Sequence, residues 1–64
     1  MNIINRLNLT IDEIAYNEKI NNNTANKAIE LLKEYRNYLL NHKYIDIYNF
    51  FNSDEMDLIE SVLI

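Results

Sequence analysis

The chain contains neither glycine nor proline, and this constrains what its 64 residues can fold into more than any other feature. Tight hairpins draw on glycine, and the strands of sandwiches and barrels are punctuated by turns rich in both residues. A chain without either is expected to be helical, with short turns built from asparagine, aspartate and serine. Phosphate-cradling loops of the Walker and dinucleotide-binding types need glycines for close backbone approach, so both are excluded.

The length suits one domain, with a core so small that stability is marginal unless a partner helps. There is no cysteine, which excludes disulfides and thiolate metal sites. His42 is the only histidine, which excludes a multi-histidine zinc site. Its context, "NHK" at the end of an expected helix, reads as a cation favourable at a helix C-terminus. No stretch approaches the roughly 18 apolar residues of a membrane span. The opening "MNIINRLNLT" lacks the basic-then-apolar order of a signal peptide. The expectation is a soluble protein in the cytoplasm. Abundant asparagine, isoleucine and tyrosine with little alanine point to an AT-rich coding genome, which bears on origin rather than mechanism.

Charge is divided unevenly. Residues 1–43 hold 5 acids and 6 bases, whereas residues 44–64 hold Asp46, Asp54, Glu55, Asp57 and Glu60 and no base. The acidity of the whole chain therefore lies in its last third.

Hydrophobic spacing gives the elements. Ile3, Ile4 and Leu7 suit a short amphipathic turn or two. Thr10 and Glu13 form a capping-box pattern, and Ile11, Ile14 and Ala15 follow at helical spacing, so a short helix is expected at about 11–19. Asn21, Asn22 and Asn23 interrupt it. Asparagine tolerates positive φ and caps helices well, so the triplet can turn the chain and start the next helix without glycine. That next helix is expected over about 23–41, with Ala25, Ala28, Ile29, Leu32, Tyr35, Arg36 and Leu39 on one face, widened by Leu31, Tyr38 and Leu40. Glu30 stands three residues from both Lys27 and Lys33, giving ion pairs of a few tenths of a kcal/mol each.

"KYIDIYNFF" reads two ways. As a strand, Tyr44, Asp46 and Tyr48 alternate against Ile45 and Ile47. As a helix, Tyr44, Ile47, Tyr48 and Phe51 share a face, and the lack of a hairpin signal nearby favours this second reading. "NSDEM" restarts the chain, with Ser53 as N-cap and Asp54 and Glu55 in the first turn. Met56, Ile59, Val62 and Leu63 then form the buried face of a last helix at about 54–63.

Residues 9–32, "LTIDEIAYNEKINNNTANKAIELL", resemble the helix-turn-helix of winged-helix transcription regulators. Ile14 and Ala15 match the apolar residue and small alanine of the first helix, and Ile20 the apolar residue of the turn. Asn21 matches the cap of the second helix, Thr24, Ala25, Ala28 and Ile29 its two faces, and Leu32 closes the core. Glu18 and Lys19 depart from the pattern, which has an apolar residue and a glycine there. The resemblance implies a recognition helix reading bases through Asn22, Asn23, Asn26 and Lys27. Lys27 or Arg36 would hold phosphates. Affinity for nucleic acid comes mostly from neutralised phosphates, and a net charge of −4 with six scattered bases offers few partners for them.

The acids of the last third have three readings. Two catalytic carboxylates need a pocket that separates their pKa values, which a helical chain of this size rarely builds. A calcium loop fails for lack of glycine and of a loop of the right length. A solvated acidic helix face is the plain reading. The sharper one is an interaction surface, since Tyr44, Tyr48, Phe50, Phe51 and Met56 punctuate the acids and combine anchors with steering charge. Tyr35 and Tyr38 pack the core with hydroxyls at its rim, whereas Tyr44 and Tyr48 with the two phenylalanines exceed what a small core can hide.

The expected fold is all-α, a compact bundle of four to five short helices around one long central helix, in a single domain over 1–64. A nucleophile–base pair, metal cluster and phosphate loop are all missing from the sequence, so neither an enzyme nor a cofactor is expected. The expected function is a small interaction protein, encoded by a phage or mobile element, that binds and modulates a larger host protein through an acidic aromatic surface, with inhibition the favoured form and a nucleic-acid-binding protein a candidate partner. Its partner-binding residues would be Tyr44, Asp46, Tyr48, Phe50, Asp54, Glu55, Asp57 and Glu60. The alternative is a helix-turn-helix DNA-binding regulator using Asn22, Asn23, Asn26, Lys27 and Arg36. The high apolar content also suggests a homodimer.

Overall fold

In the computed structural model, which describes residues 2–63, four helices follow one another: α1 (Ile3–Ala15), α2 (Asn22–Asn41), α3 (Ile47–Phe50) and α4 (Ser53–Leu63). The arrangement is all-α around one long helix, and α1 and α4 both pack against α2. α2 has 20 residues, and the longest dimension of the molecule is 34 Å. No helix among the described residues is long and apolar enough to cross a membrane.

Three asparagines start the three longer helices. Asn2 Oδ1 accepts from the Asn5 N–H at 2.9 Å and caps α1. Asn21 Oδ1 accepts from the N–H groups of Asn23 at 2.9 Å and Thr24 at 3.4 Å and caps α2. Asn52 Oδ1 accepts from the Glu55 N–H at 2.8 Å, and the Asn52 N–H donates to Glu55 Oε1 at 3.0 Å. That reciprocal pair is a capping box, so the cap of α4 is Asn52 and not Ser53. Turning the chain needs no left-handed residue: among the described residues none has positive φ. The connection after α1 closes instead through Asn17, whose Oδ1 accepts from the Lys19 N–H at 3.0 Å and whose carbonyl accepts from the Ile20 N–H at 3.3 Å.

α1 corrects the helix expected at 11–19. It begins eight residues earlier and ends at Ala15. Thr10 lies inside it and caps nothing; its Oγ1 donates to the Arg6 carbonyl at 2.9 Å. The apolar period of Leu7, Ile11 and Ile14, all buried, runs straight across Thr10, and burial of that stripe outweighs a local cap. Asn17 then turns the chain before position 19.

The core consists of Leu7, Ile11 and Ile14 from α1, Ala25, Ala28, Leu32 and Tyr35 from α2, Met56, Ile59 and Val62 from α4, and Phe51. Each large side chain among them contributes roughly 1.5–3 kcal/mol by leaving water. Ile29, Leu31 and Leu39 flank it half-buried, as the expected face requires. Leu40 and Leu63 do not widen the apolar faces: they are 61 % and 52 % exposed, at the last turns of α2 and α4.

Residues 44–51 are neither the strand nor the full helix of the two sequence readings. Only Ile47–Phe50 forms a helical turn, and Tyr44 precedes it in irregular backbone. Burial nevertheless alternates, with Tyr44, Asp46 and Tyr48 exposed and Ile45 and Ile47 half-buried. The side-chain pattern of a strand is thus realised without strand pairing, with the two isoleucines packed against the core.

Candidate functional site

The last turns of α2 carry an aromatic platform. Tyr35 faces Phe50 and Phe51 with ring centroids 5.2 and 5.9 Å away, and Tyr38 faces Phe50 at 5.2 Å. Phe50 meets Phe51 edge-on at 4.9 Å, and His42 stacks on Tyr38 at 4.4 Å. Tilted and edge-on pairs of this kind add about 0.5–1.5 kcal/mol each beyond the area they bury.

Tyr35 also holds the segment in front of α3. Its hydroxyl donates to the Ile45 carbonyl at 2.6 Å. Burial raises the pKa of this phenol, and Tyr44 and Asp46 nearby raise it further. The Asp46 carbonyl then accepts from the Asn49 and Phe50 N–H groups at 2.9 and 3.0 Å, and the Phe51 N–H donates to the Ile47 carbonyl at 3.1 Å. The segment is therefore fixed by its backbone and its inward side chains, and its outward side chains are left to solvent. Tyr44 is 68 % and Tyr48 65 % exposed.

The residues expected to bind a partner divide into two groups. Tyr44, Asp46, Tyr48, Asp54, Asp57 and Glu60 are all exposed. Phe50 and Glu55 are half-buried and serve the fold, Phe50 in the aromatic platform and Glu55 in the capping box. On α4, buried Met56, Ile59 and Val62 define the inner face, which leaves Asp54, Asp57 and Glu60 on the outer one. Tyr35 is the positioning residue that sequence reasoning missed. Its partner is a backbone carbonyl ten residues away, and no residue pattern marks such a contact.

The DNA-reading candidates lie elsewhere. Asn22, Asn23, Asn26 and Lys27 are exposed on the first turns of α2. Further along, Glu30, Lys33 and Glu34 are exposed too, so two acids offset the two lysines of that helix. Arg36 is half-buried, and its Nη1 donates to Asn8 Oδ1 at 2.7 Å, tying α2 to α1. Residues 16–21 link the two helices, a longer connection than the three- or four-residue turn of a helix-turn-helix.

A shallow cleft of about 230 Å³ opens between the ends of α1 and α4, lined by Glu13, Ile14, Asn17, Val62 and Leu63. None of the candidate residues of either set lines it. Comparisons of the chain with protein-family models, curated proteins and solved structures give no match.

Proposed function

We propose that the protein is a small, non-enzymatic interaction module that docks through its acidic aromatic surface onto a basic region of a larger protein and inhibits it. The observation that carries this reading is the pair of exposed tyrosines, Tyr44 and Tyr48, on a segment whose backbone is anchored to the core by Tyr35. Rigid aromatic side chains lose little entropy on contact and are enriched at binding hot spots. Asp54, Asp57 and Glu60, exposed on α4, supply charge of one sign, which steers a basic partner and raises its on-rate. A protein that itself binds nucleic acid in the host cytoplasm has the complementary surface.

The alternative, a DNA-binding regulator, is supported by the exposed row of Asn22, Asn23, Asn26 and Lys27. It is opposed by the two glutamates on the same helix and by the engagement of Arg36 with Asn8.

One experiment separates them. The tagged chain and the triple variant Asp54→Lys, Asp57→Lys, Glu60→Lys are used to capture partners from host lysate, with and without nuclease. The expected result is a stoichiometric protein partner that survives nuclease and is lost from the triple variant. Equal capture by the variant would remove the acidic surface from the account. Enrichment of one DNA sequence, abolished by nuclease and by Asn26→Ala, would establish the alternative.

A further inference from the structure

Asp46 stands at the N-cap position of α3, where an aspartate side chain ordinarily accepts from the helix's first N–H groups. Here it makes no such bond, and the turn is closed by its carbonyl oxygen instead. An exposed carboxylate is therefore not tied to its own helix. Tyr44 and Tyr48 flank it two residues to either side, and the alternation of burial turns all three outward while Ile45 and Ile47 turn in. The hydroxyl of Tyr35 holds the Ile45 carbonyl, so the backbone that carries the row is anchored before any partner arrives.

We infer that the row Tyr44–Asp46–Tyr48 is a docking site for an arginine side chain presented by a basic protein segment. The inference rests on the protein-docking reading above and names the residue that the surface selects. Charge complementarity calls for a cation, since residues 44–64 hold five acids and no base. The chemistry of the row selects which cation. A guanidinium is planar and weakly hydrated, lies flat on a phenol ring, and presents a fork of N–H groups to a carboxylate. A lysine ammonium is compact and strongly hydrated, and gains from the same row little beyond Coulomb attraction. A second copy of the chain is a poor occupant, because two molecules of net charge −4 repel. The outer acids of α4 then act in encounter, and the row in discrimination.

The test is an NMR titration of the full ¹⁵N-labelled chain with a hexa-arginine and a hexa-lysine peptide, matched in length and charge, at about 0.15 M salt. The expected result is that hexa-arginine moves the resonances of residues 44–48 and binds about fivefold more tightly than hexa-lysine. Asp46→Asn and Tyr48→Leu each remove that preference. Tyr16→Leu, at a tyrosine 84 % exposed and outside the row, retains it. Equal affinity for the two peptides, with shifts confined to α4, overturns the arginine site and leaves the acidic docking surface standing. No shift from either peptide overturns both. A shift of residues 44–48 that grows with protein concentration alone assigns the row to a second copy and overturns the inference.

Discussion

The two flanks of α2 are covered in opposite ways. In its first half it buries small and aliphatic side chains, Ala25, Ala28 and Leu32, with Ala28 fully buried. Small residues let two helices approach closely, and the outer surface that results is an even mixture of asparagine, lysine and glutamate. At its other end α2 presents Tyr35 and Tyr38, which collect Phe50 and Phe51 around them. Rings occupy more room than the end of a helix can enclose, and Tyr44 and Tyr48 remain outside, in the third of the chain whose acids have no balancing base. The first region still exposes Leu9 and Tyr16, but in a part of the chain whose acids and bases nearly balance. A region with aromatic surplus and one sign of charge has both attraction and anchors.

Tyr35 joins the two regions, so its removal has the largest expected effect. Tyr35→Ala loses a ring that is 1 % exposed and should cost about 3–5 kcal/mol. The total stability of a chain this short is only about 3–10 kcal/mol, so the variant should lose most of its helical circular dichroism at room temperature. Retention of the wild-type melting temperature would mean that the C-terminal third holds without the ring, and the contrast between the flanks would lose its physical basis.

The caps sharpen the contrast at the next level. Asn52→Ala combined with Glu55→Ala removes both bonds of a reciprocal box and should cost about 1–2 kcal/mol, whereas Asn21→Ala removes a one-way cap and should cost about 1 kcal/mol. Thermal denaturation gives both values. Hydrogen exchange should show faster opening at the start of α4 in the first variant and at the start of α2 in the second.

The smallest effect concerns the Tyr35 hydroxyl alone. Tyr35→Phe keeps the ring and leaves the Ile45 carbonyl without its donor, at a cost of about 1 kcal/mol. Because burial raises the Tyr35 pKa in the folded state, the folded protein keeps this proton at pH values where the unfolded chain releases it. The corresponding stability is complete below the unfolded value of about 10 and is lost as pH rises through the folded value. Wild-type stability should therefore fall more steeply above pH ~10 than that of Tyr35→Phe. Parallel curves in urea titrations at alkaline pH would show that the phenol does not carry this term.

Much of the architecture follows from the residues alone. The absence of glycine and proline, the period of Ala25, Ala28, Leu32 and Tyr35, and the acid-led restart after residue 52 suffice for an all-α chain with a long second helix and a last helix buried through Met56, Ile59 and Val62. These signals are local, each contained within a few helical turns. Neighbouring elements decided the rest. Whether Thr10 caps a helix or lies within one depended on the stripe that α2 buries. Whether residues 44–51 form a strand or a helix depended on a hydroxyl and two rings supplied by other parts of the chain. The aromatic and acidic character of the last third was legible as composition. Which tyrosines pack and which face solvent was not, because a tyrosine's amphipathic side chain is stable in either place until its neighbours claim one face.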